Sequence, residues 1–181
     1  MAENEQSTRP SENVPDLASA MAEPLIHRTF VNYLSFVDTG QDYRSAVKSF
    51  SKHAVIEYQM NGERPMKFQG RDEFLAYLEG QANTDLKFEG CAHALGQYEI
   101  RWLDKKPRLS AYVTAWHWFE RNRHLGTHRP ADWTTIGFVT DDFDFVEGQW
   151  LIARRTLRPA AGLVATGRLY LSGAIAAPES H

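Results

Sequence analysis

The chain has 181 residues, of which 20 are basic and 23 acidic, so its formal net charge at pH 7 is −3. Nucleic-acid-binding proteins usually carry a basic face, and this balance argues against that class. Hydrophobic residues make up 43% and aromatic residues 12%, more than a disordered chain would carry, and the length suits one domain. The single cysteine, Cys91, excludes an internal disulfide framework and a multi-cysteine zinc site.

No segment has the pattern of a secretion signal or a membrane span. The first 16 residues are polar and lack a basic segment followed by an apolar one, so no signal peptide is visible. The most apolar stretch, 160–177, is interrupted by Gly162, Gly167, Arg168 and Gly173. It falls short of the roughly 18 to 20 apolar residues that a membrane span needs. We therefore expect a cytoplasmic protein that contacts neither a membrane nor nucleic acid.

The N-terminal half predicts three helices after a tail. Residues 1–22 have the composition of a disordered tail, and one domain is expected over 23–159. Apolar residues recur at helical spacing from Ile26, which predicts a first helix ending near Gly40. Two further helices are predicted over 43–50 and 70–78. The Gly- and Ala-rich tail, 160–181, could cover a pocket as a lid, contact a neighbouring subunit or fray.

Most of the remaining chain has the pattern of β-strands. A short strand over 53–60, a turn at Asn61–Gly62 and a return over 65–68 precede the third helix. Four long strands follow it, over 92–103, 108–121, 133–145 and 149–156. This order predicts an α+β domain. Each helix has one apolar stripe to bury, so we expect the helices to pack on a strongly curved antiparallel sheet that encloses a pocket.

The strand around His117 has two different faces, because side chains alternate along a strand. One face is small and apolar apart from the imidazole, as in a pocket wall: Leu109, Ala111, Val113, Ala115, His117 and Phe119. The other is broad and largely aromatic: Tyr112, Thr114, Trp116 and Trp118. Exposed aromatic patches usually mark contacts, so we interpret it as the interface of a homodimer or homotrimer. The opposite assignment, with the aromatic face in the core and His117 outside, also fits.

Asp38 and His93 are candidates for an acid–base pair. Asp38 stands at the predicted end of the first helix, where the macrodipole disfavours a carboxylate and where a local Asx turn is the simplest role. His93 opens the first long strand, and Gly96 just after it indicates a β-bulge or a close backbone approach. A neutral imidazole whose tautomer is set by a carboxylate is a natural general base near neutral pH.

Other candidate residues carry weaker signals. His124 and His128 lie in a predicted hairpin loop among arginines that would repel a cation, so no metal is expected. Cys91 is interpreted as a small strand residue. Arg154 and Arg155 point to opposite faces of the last strand, so one of them could meet a carboxylate or an anionic substrate in the pocket. Arg154 is assigned that role, and a surface ion pair is the alternative.

The order of elements and these marker residues resemble the SnoaL-like branch of the nuclear transport factor two-like superfamily, over about residues 23–159. The resemblance implies a cone-shaped α+β barrel, in which a curved sheet wraps helices around a deep pocket. The scytalone dehydratase and lindane dehydrochlorinase branches use a His–Asp dyad. Their Asp ends the first helix, as Asp38 does in Phe-Val-Asp, and their His precedes a Gly on the first long strand, as His93 does in His-Ala-Leu-Gly.

The same resemblance implies roles for further residues. Tyr58, in Ile-Glu-Tyr, matches a dehydratase Tyr at the end of the first short strand, and His117 approximately matches its second His. Tyr33 stands where the dehydrochlorinase has a Lys. The implied activity is that of a cofactor-independent dehydratase, elimination lyase, isomerase or cyclase acting on a small apolar, polyketide- or terpenoid-like molecule. The implied catalytic residues are His93, Asp38, Tyr58 and His117. Substrate contacts are assigned to Tyr33, Val113, Ala115, Phe119 and Arg154.

Two other functions fit the same fold. The protein could be a binding module whose pocket holds a ligand without turning it over. It could also be a structural β subunit of a ring-hydroxylating dioxygenase, which would need a larger iron–sulfur chain as its partner. Contact between Asp38 and His93 inside a closed pocket would favour the enzyme over the binding module.

Overall fold

The structure is a computed structural model that describes residues 16–59, 64–81, 84 and 87–160. The first half forms α1 (Leu17–Asp38), α2 (Tyr43–Ala46), a 3₁₀ turn (Val47–Ser49), β1 (Phe50–Tyr58), β2 (Met66–Gln69) and α3 (Arg71–Gln81). The second half forms β3 (Phe88–Leu103), β4 (Lys106–Phe119), a 3₁₀ segment (Glu120–Leu125), β5 (Trp133–Val146) and β6 (Gln149–Pro159). Helices followed by a long sheet confirm the predicted α+β class.

The first helix begins earlier than the sequence predicts. It starts at Leu17, so the expectation of a disordered tail is wrong for residues 17–22. Asp16 caps the helix, because its carboxylate accepts a hydrogen bond from the Ser19 amide at 2.8 Å. Pro24 obscured this start, since proline usually lies in the first turn of a helix and here lies inside one. Residues 1–15 of the N-terminal tail and residues 161–181 of the C-terminal tail lie outside the described residues.

The second helix is shorter than the predicted span 43–50. It ends at Ala46, and a 3₁₀ turn leads directly into β1, which takes Phe50 into the sheet. The turn predicted at Asn61–Gly62 lies outside the described residues. On either side of it β1 and β2 pair antiparallel, with Tyr58 opposite Met66, as the pattern predicted.

The six strands that the described residues form make one curled sheet in the order β2-β1-β6-β5-β4-β3. Strands β3 to β6 are a consecutive antiparallel meander, as predicted. The exception is β1, which pairs parallel with β6 and places Val55 opposite Arg154. Over the part of the chain that the structure describes, the sheet does not close into a full barrel, because its edge strands β2 and β3 are not paired with each other. The last strand thus joins the first strand to the meander.

Gly96 lies in a β-bulge of β3. The pairing with β4 shifts register between Leu95 and Tyr98, so that β3 has one more residue than β4 over this stretch. A Cβ atom on Gly96 would lie 3.2 Å from the carbonyl oxygen of Tyr112. Both the bulge and the close backbone approach that this glycine indicated are therefore present.

The helices pack on the concave face of the sheet and set which side of β4 is inside. The small apolar face of β4 is buried: Leu109, Ala111, Val113, Ala115, His117 and Phe119. The aromatic face points outward, and Tyr112 is 45% exposed. The structure thereby decides between the two assignments of this strand. None of the helices in the described ranges is long and apolar enough to cross a membrane.

Candidate active site

Asp38 and His93 are in direct contact, although they come from different elements. Asp38 Oδ1 lies 2.6 Å from His93 Nδ1, and Asp38 Oδ2 accepts a hydrogen bond from the His93 backbone amide at 2.9 Å. Because a carboxylate accepts hydrogen bonds, the Nδ1 atom of neutral His93 carries the proton. The Nε2 atom is then the nitrogen that can accept a proton from another molecule.

The end of α1 places Asp38 against β3. The helix ends when the Thr39 amide donates to the Ser35 carbonyl oxygen at 2.9 Å, and Gly40, with φ of 74°, turns the chain. Gln41 then donates its side-chain amide to the Phe88 carbonyl oxygen at 3.0 Å, where β3 begins. Asp38 therefore faces β3 and bonds to His93 through both carboxylate oxygens.

The two acidic groups beside His93 are in opposite protonation states. Burial by itself would raise the pKa of the Asp38 carboxyl, but hydrogen bonds and charge attraction from His93 outweigh it and lower this pKa. Burial raises the pKa of the Cys91 thiol to about 12, and the Asp38 charge adds to this effect. At neutral pH the carboxylate is thus ionised, and the thiol is protonated and donates to the Val37 carbonyl oxygen at 3.4 Å.

A pocket with two lobes lies between the helices and the concave face of the sheet. Four side chains line both lobes: Tyr33, Tyr58, His93 and His117. The first lobe spans about 640 Å³ with its open mouth, and its walls are largely aliphatic: Leu34, Val113, Ala115, Ile136, Val139 and Leu157. The second spans about 660 Å³, also counted with the open space at its mouth, and is largely aromatic: Tyr43, Tyr77, Phe88, Phe119 and Trp133. His93 stands where the lobes meet.

Most of the residues predicted to form the site are brought to this pocket. His117 lies with its ring centre 6.0 Å from that of His93 and stacks on Trp133 at 4.4 Å. Val113 and Ala115 line the first lobe and Phe119 lines the second, while Tyr33 and Tyr58 reach both. Their catalytic and binding roles stay predictions, but their placement agrees with the sequence.

Arg154 is not in the pocket. Its side chain is half exposed on the outer face of the sheet, with its guanidinium 3.7 Å from the Glu57 carboxylate. The assignment of Arg154 to the substrate is therefore wrong. The neighbouring Arg155 faces inward, is 3% exposed and lines the first lobe. Successive residues of a strand point to opposite faces, and only the register of β6 decides which arginine is inside.

Arg155 and Asp141 form a buried ion pair beside the first lobe that sequence reasoning missed. Arg155 Nε and Nη2 lie 2.8 and 2.6 Å from the two carboxylate oxygens of Asp141. The guanidinium carbon also lies 5.3, 4.3 and 4.9 Å from the ring centres of Phe30, Tyr33 and Phe50. Burial by itself would lower the pKa of Arg155, but the Asp141 carboxylate raises it. The guanidinium therefore stays charged beside the pocket.

The hydroxyl group of Tyr33 is neutral beside the buried ion pair of Arg155 and Asp141. Burial raises its pKa, and the charge of Arg155 opposes that rise without reversing it. The position matched by a lysine in the dehydrochlorinase branch is thus uncharged here. A buried cation lies instead on β6, at Arg155, which lines the first lobe.

The comparison with known families agrees with this architecture. Residues 19–156 match the family described as the SnoaL-like domain. The chain belongs to the SnoaL-like family. This confirms the resemblance that the element order and the marker residues indicated. No curated protein matches the chain.

Solved structures share this SnoaL-like fold at low sequence identity. One from Novosphingobium aromaticivorans, named as a candidate scytalone dehydratase, is 22% identical with a TM-score of 0.65, covering 82% of this chain and 88% of its own. A candidate aromatic ring hydroxylase from the same organism is 16% identical with a TM-score of 0.65, covering 83% and 96%. ActVI-ORFA from Streptomyces coelicolor is 13% identical with a TM-score of 0.60, covering 75% and 95%. These similarities show the fold.

Proposed function

We propose that this protein is a cofactor-independent general acid–base enzyme that acts on a small apolar, polyketide- or terpenoid-like molecule. The observation that carries the proposal is the 2.6 Å contact between Asp38 and His93, with the imidazole on the wall of the pocket. A general base needs a defined tautomer and access to a bound substrate. The proposal covers dehydration, elimination, isomerisation and cyclisation, because all four begin with the removal of a proton beside a carbonyl or a leaving group.

The reaction step follows from the tautomer of His93. Nε2 accepts the substrate proton, and the electron pair of the broken C–H bond moves towards the carbonyl oxygen or expels the leaving group. The imidazolium that forms is stabilised by the Asp38 carboxylate, which is already ionised. Tyr58 and His117, on the same stretch of wall, would polarise the carbonyl or assist a departing hydroxyl group.

The walls of the pocket support an apolar substrate. A largely aliphatic lobe and a largely aromatic lobe bind carbon skeletons, while the candidate catalytic groups Tyr58, His93 and His117 line both lobes. This arrangement suits a molecule that is longer than it is wide and carries its reacting carbon near the middle. The shared fold with a candidate scytalone dehydratase supports the same choice of chemistry.

The test is the turnover of a panel of β-hydroxy ketones, halogenated alicyclic compounds and linear polyketide mimics by the wild type and by His93→Ala. We expect the variant to lose a factor of about 10² to 10⁴ in turnover, because the proton acceptor is gone. Its circular dichroism spectrum should stay that of the wild type. His124→Ala, a change in the exposed 3₁₀ segment, is the matched control and should keep full turnover. Unchanged turnover by His93→Ala would contradict the proposal.

A non-catalytic binding module is the second candidate, because the same apolar pocket can hold a ligand without reacting with it. In that case the panel would bind without being converted, and His93→Ala would change affinity alone. The third reading, a dioxygenase β subunit, predicts that the protein copurifies with a larger iron–sulfur chain. Stability of the isolated protein together with turnover would exclude both alternatives.

A further inference from the structure

Asp38, Cys91 and His93 bring three different ligand types together. One ligand atom from each residue lies within 4.8 Å of the other two. Cys91 and His93 are two residues apart on β3, so their side chains share a face, and Asp38 approaches them from the end of α1. The side chains of His93 and Asp38 are 14% and 25% exposed, and Cys91 is buried.

We propose that these three side chains form a binding site for Zn²⁺. Zinc takes thiolate, imidazole and carboxylate ligands at about 2.0–2.3 Å, which in a tetrahedron places the ligand atoms about 3.3–3.8 Å apart. The 2.6 Å contact of Asp38 with His93 must therefore widen, and the three ligand atoms, which all lie within 4.8 Å of one another, need only small movements to reach these separations. Three protein ligands leave the fourth position for water, as in open zinc sites.

The ligand set and its charge favour zinc over the common hard cations. Sulfur and nitrogen ligands select Zn²⁺ against Mg²⁺ and Ca²⁺, which prefer oxygen. Binding breaks the Cys91 S–H bond, releases that proton to solvent and forms a Zn–S bond. The resulting thiolate and the Asp38 carboxylate carry two negative charges that balance the ion. The buried cation Arg155 does not neutralise these two charges, because it already pairs with Asp141.

A cation can reach this cluster through the pocket. Cys91 and His93 line the second lobe, which is open to solvent. The sequence indicated no metal site, because its histidine pair lies in a loop and Cys91 had no visible partner. The partner is supplied by α1, which the fold places beside β3.

Zinc at this site would block the chemistry of the pocket. The ion takes the imidazole as a ligand and replaces the contact between Asp38 and His93, so the general base is lost. This consequence for turnover rests on the proposed function, whereas the binding itself does not. Zinc would thus inhibit the enzyme by occupying its dyad, without needing a separate regulatory site.

The experiment titrates the full chain with Co²⁺, a spectroscopic substitute for Zn²⁺, and then adds Zn²⁺. We expect a thiolate-to-cobalt charge-transfer band in the near ultraviolet that saturates at one ion per chain and disappears when zinc displaces cobalt. Cys91→Ser should lose the band, and Asp38→Asn should weaken cobalt binding at least tenfold. His128→Ala, in the segment that carries the other histidine pair, is the control and should bind as the wild type does.

Several results would overturn the site. These are the absence of a charge-transfer band at millimolar cobalt, a stoichiometry unchanged by Cys91→Ser, or loss of binding in His128→Ala. If Cys91→Ser does not fold, as judged by circular dichroism, His93→Gln tests the same site and should also lose cobalt. The titration reads no turnover, so its failure is distinguishable from a failure of the proposed function, which depends on the substrate panel.

Discussion

Asp38 couples the protonation of the candidate site to the stability of the fold. Its pKa is lower in the folded protein than in the unfolded chain, where an aspartate titrates near pH 4. The folded state therefore binds fewer protons at this carboxyl. Its stabilising contribution is complete above the unfolded pKa and is lost as the pH falls through the lower, folded pKa.

We expect Asp38→Asn to remove this pH-dependent contribution. The difference in free energy of unfolding between the wild type and Asp38→Asn should be largest at pH 6 to 7 and should shrink as the pH falls below about 4. Urea denaturation at a series of pH values measures it. A difference that stays constant from pH 7 to pH 3 would show that His93 does not stabilise the charged carboxylate.

A second prediction concerns the contribution of the buried pair of Asp141 and Arg155 to stability. Asp141→Asn leaves a buried guanidinium without its charge partner, which should lower the free energy of unfolding by about 3–5 kcal/mol. Asp144→Asn, on the same strand, breaks an exposed pair with Lys106 and should change stability little. The double variant Asp141→Leu with Arg155→Met should recover much of the loss, because it buries no charge. Equal losses in Asp141→Asn and Asp144→Asn would contradict this account.

At the scale of single elements, the bulge of β3 depends on Gly96. Gly96→Ala places a Cβ atom 3.2 Å from a backbone oxygen of β4, and the strand must shift to relieve the contact. We expect a loss of about 1–3 kcal/mol in the free energy of unfolding, as for other overpacked sites. Gly90→Ala is the control, because nothing lies within 4 Å of its added Cβ. Chemical denaturation of both variants measures the difference, and equal stability would contradict the prediction.

The strands were predictable from the sequence because alternation is a local property, and the helix boundaries were less so. Phe50 shows why: its spacing from Tyr43 fits a helical stripe, yet the chain has already become β1 at Phe50. The side chain is buried in either arrangement, so the pattern cannot separate them. The start of α1 was predicted too late for a different reason. Pro24 lies inside the helix, and a folded protein can keep a proline within a long helix at the loss of one hydrogen bond.

The candidate site was predictable where the family pattern marks it and hidden where it depends on register. Asp38 stands at the end of α1, but His93 lies within β3, which begins five residues earlier at Phe88. The resemblance to the family, rather than the position of His93 in its strand, is what paired the two residues. Counting outward from the turn at Glu147–Gly148 would place Asp141 opposite Arg154. A register shift between Asp142 and Phe143 makes Arg155 the partner instead. A bulge of this kind changes which side chain faces the pocket, and nothing local in the sequence marks it.

At the scale of the whole molecule, the outer face of the sheet is the proposed subunit contact. Tyr112 and Phe138 pack edge to face with ring centres 5.1 Å apart, and both are exposed. Trp116 and Trp118 extend this aromatic face along β4. Such a surface is the kind that pairs with a copy of itself in a symmetric oligomer.

We expect the wild type to sediment as a homodimer or homotrimer and the variant Tyr112→Glu with Phe138→Glu to sediment as single chains of 20.7 kDa, because charges are depleted at the cores of interfaces. Sedimentation velocity measures the mass. Leu125→Glu changes an exposed apolar residue outside the sheet and should leave the mass unchanged. A wild type that sediments as a single chain at micromolar concentration would contradict the prediction.

The parallel pairing of β1 with β6 bears on how the protein is made. During synthesis β1 and β2 leave the ribosome early, yet one edge of β1 has no partner until β6 has emerged. Arg155 is part of β6, so this charged group beside the pocket is synthesised after most of the other residues that line it. Pairing between strands so distant along the chain is slow. The first lobe of the pocket is therefore incomplete until β6 pairs with β1, because β6 supplies part of its wall.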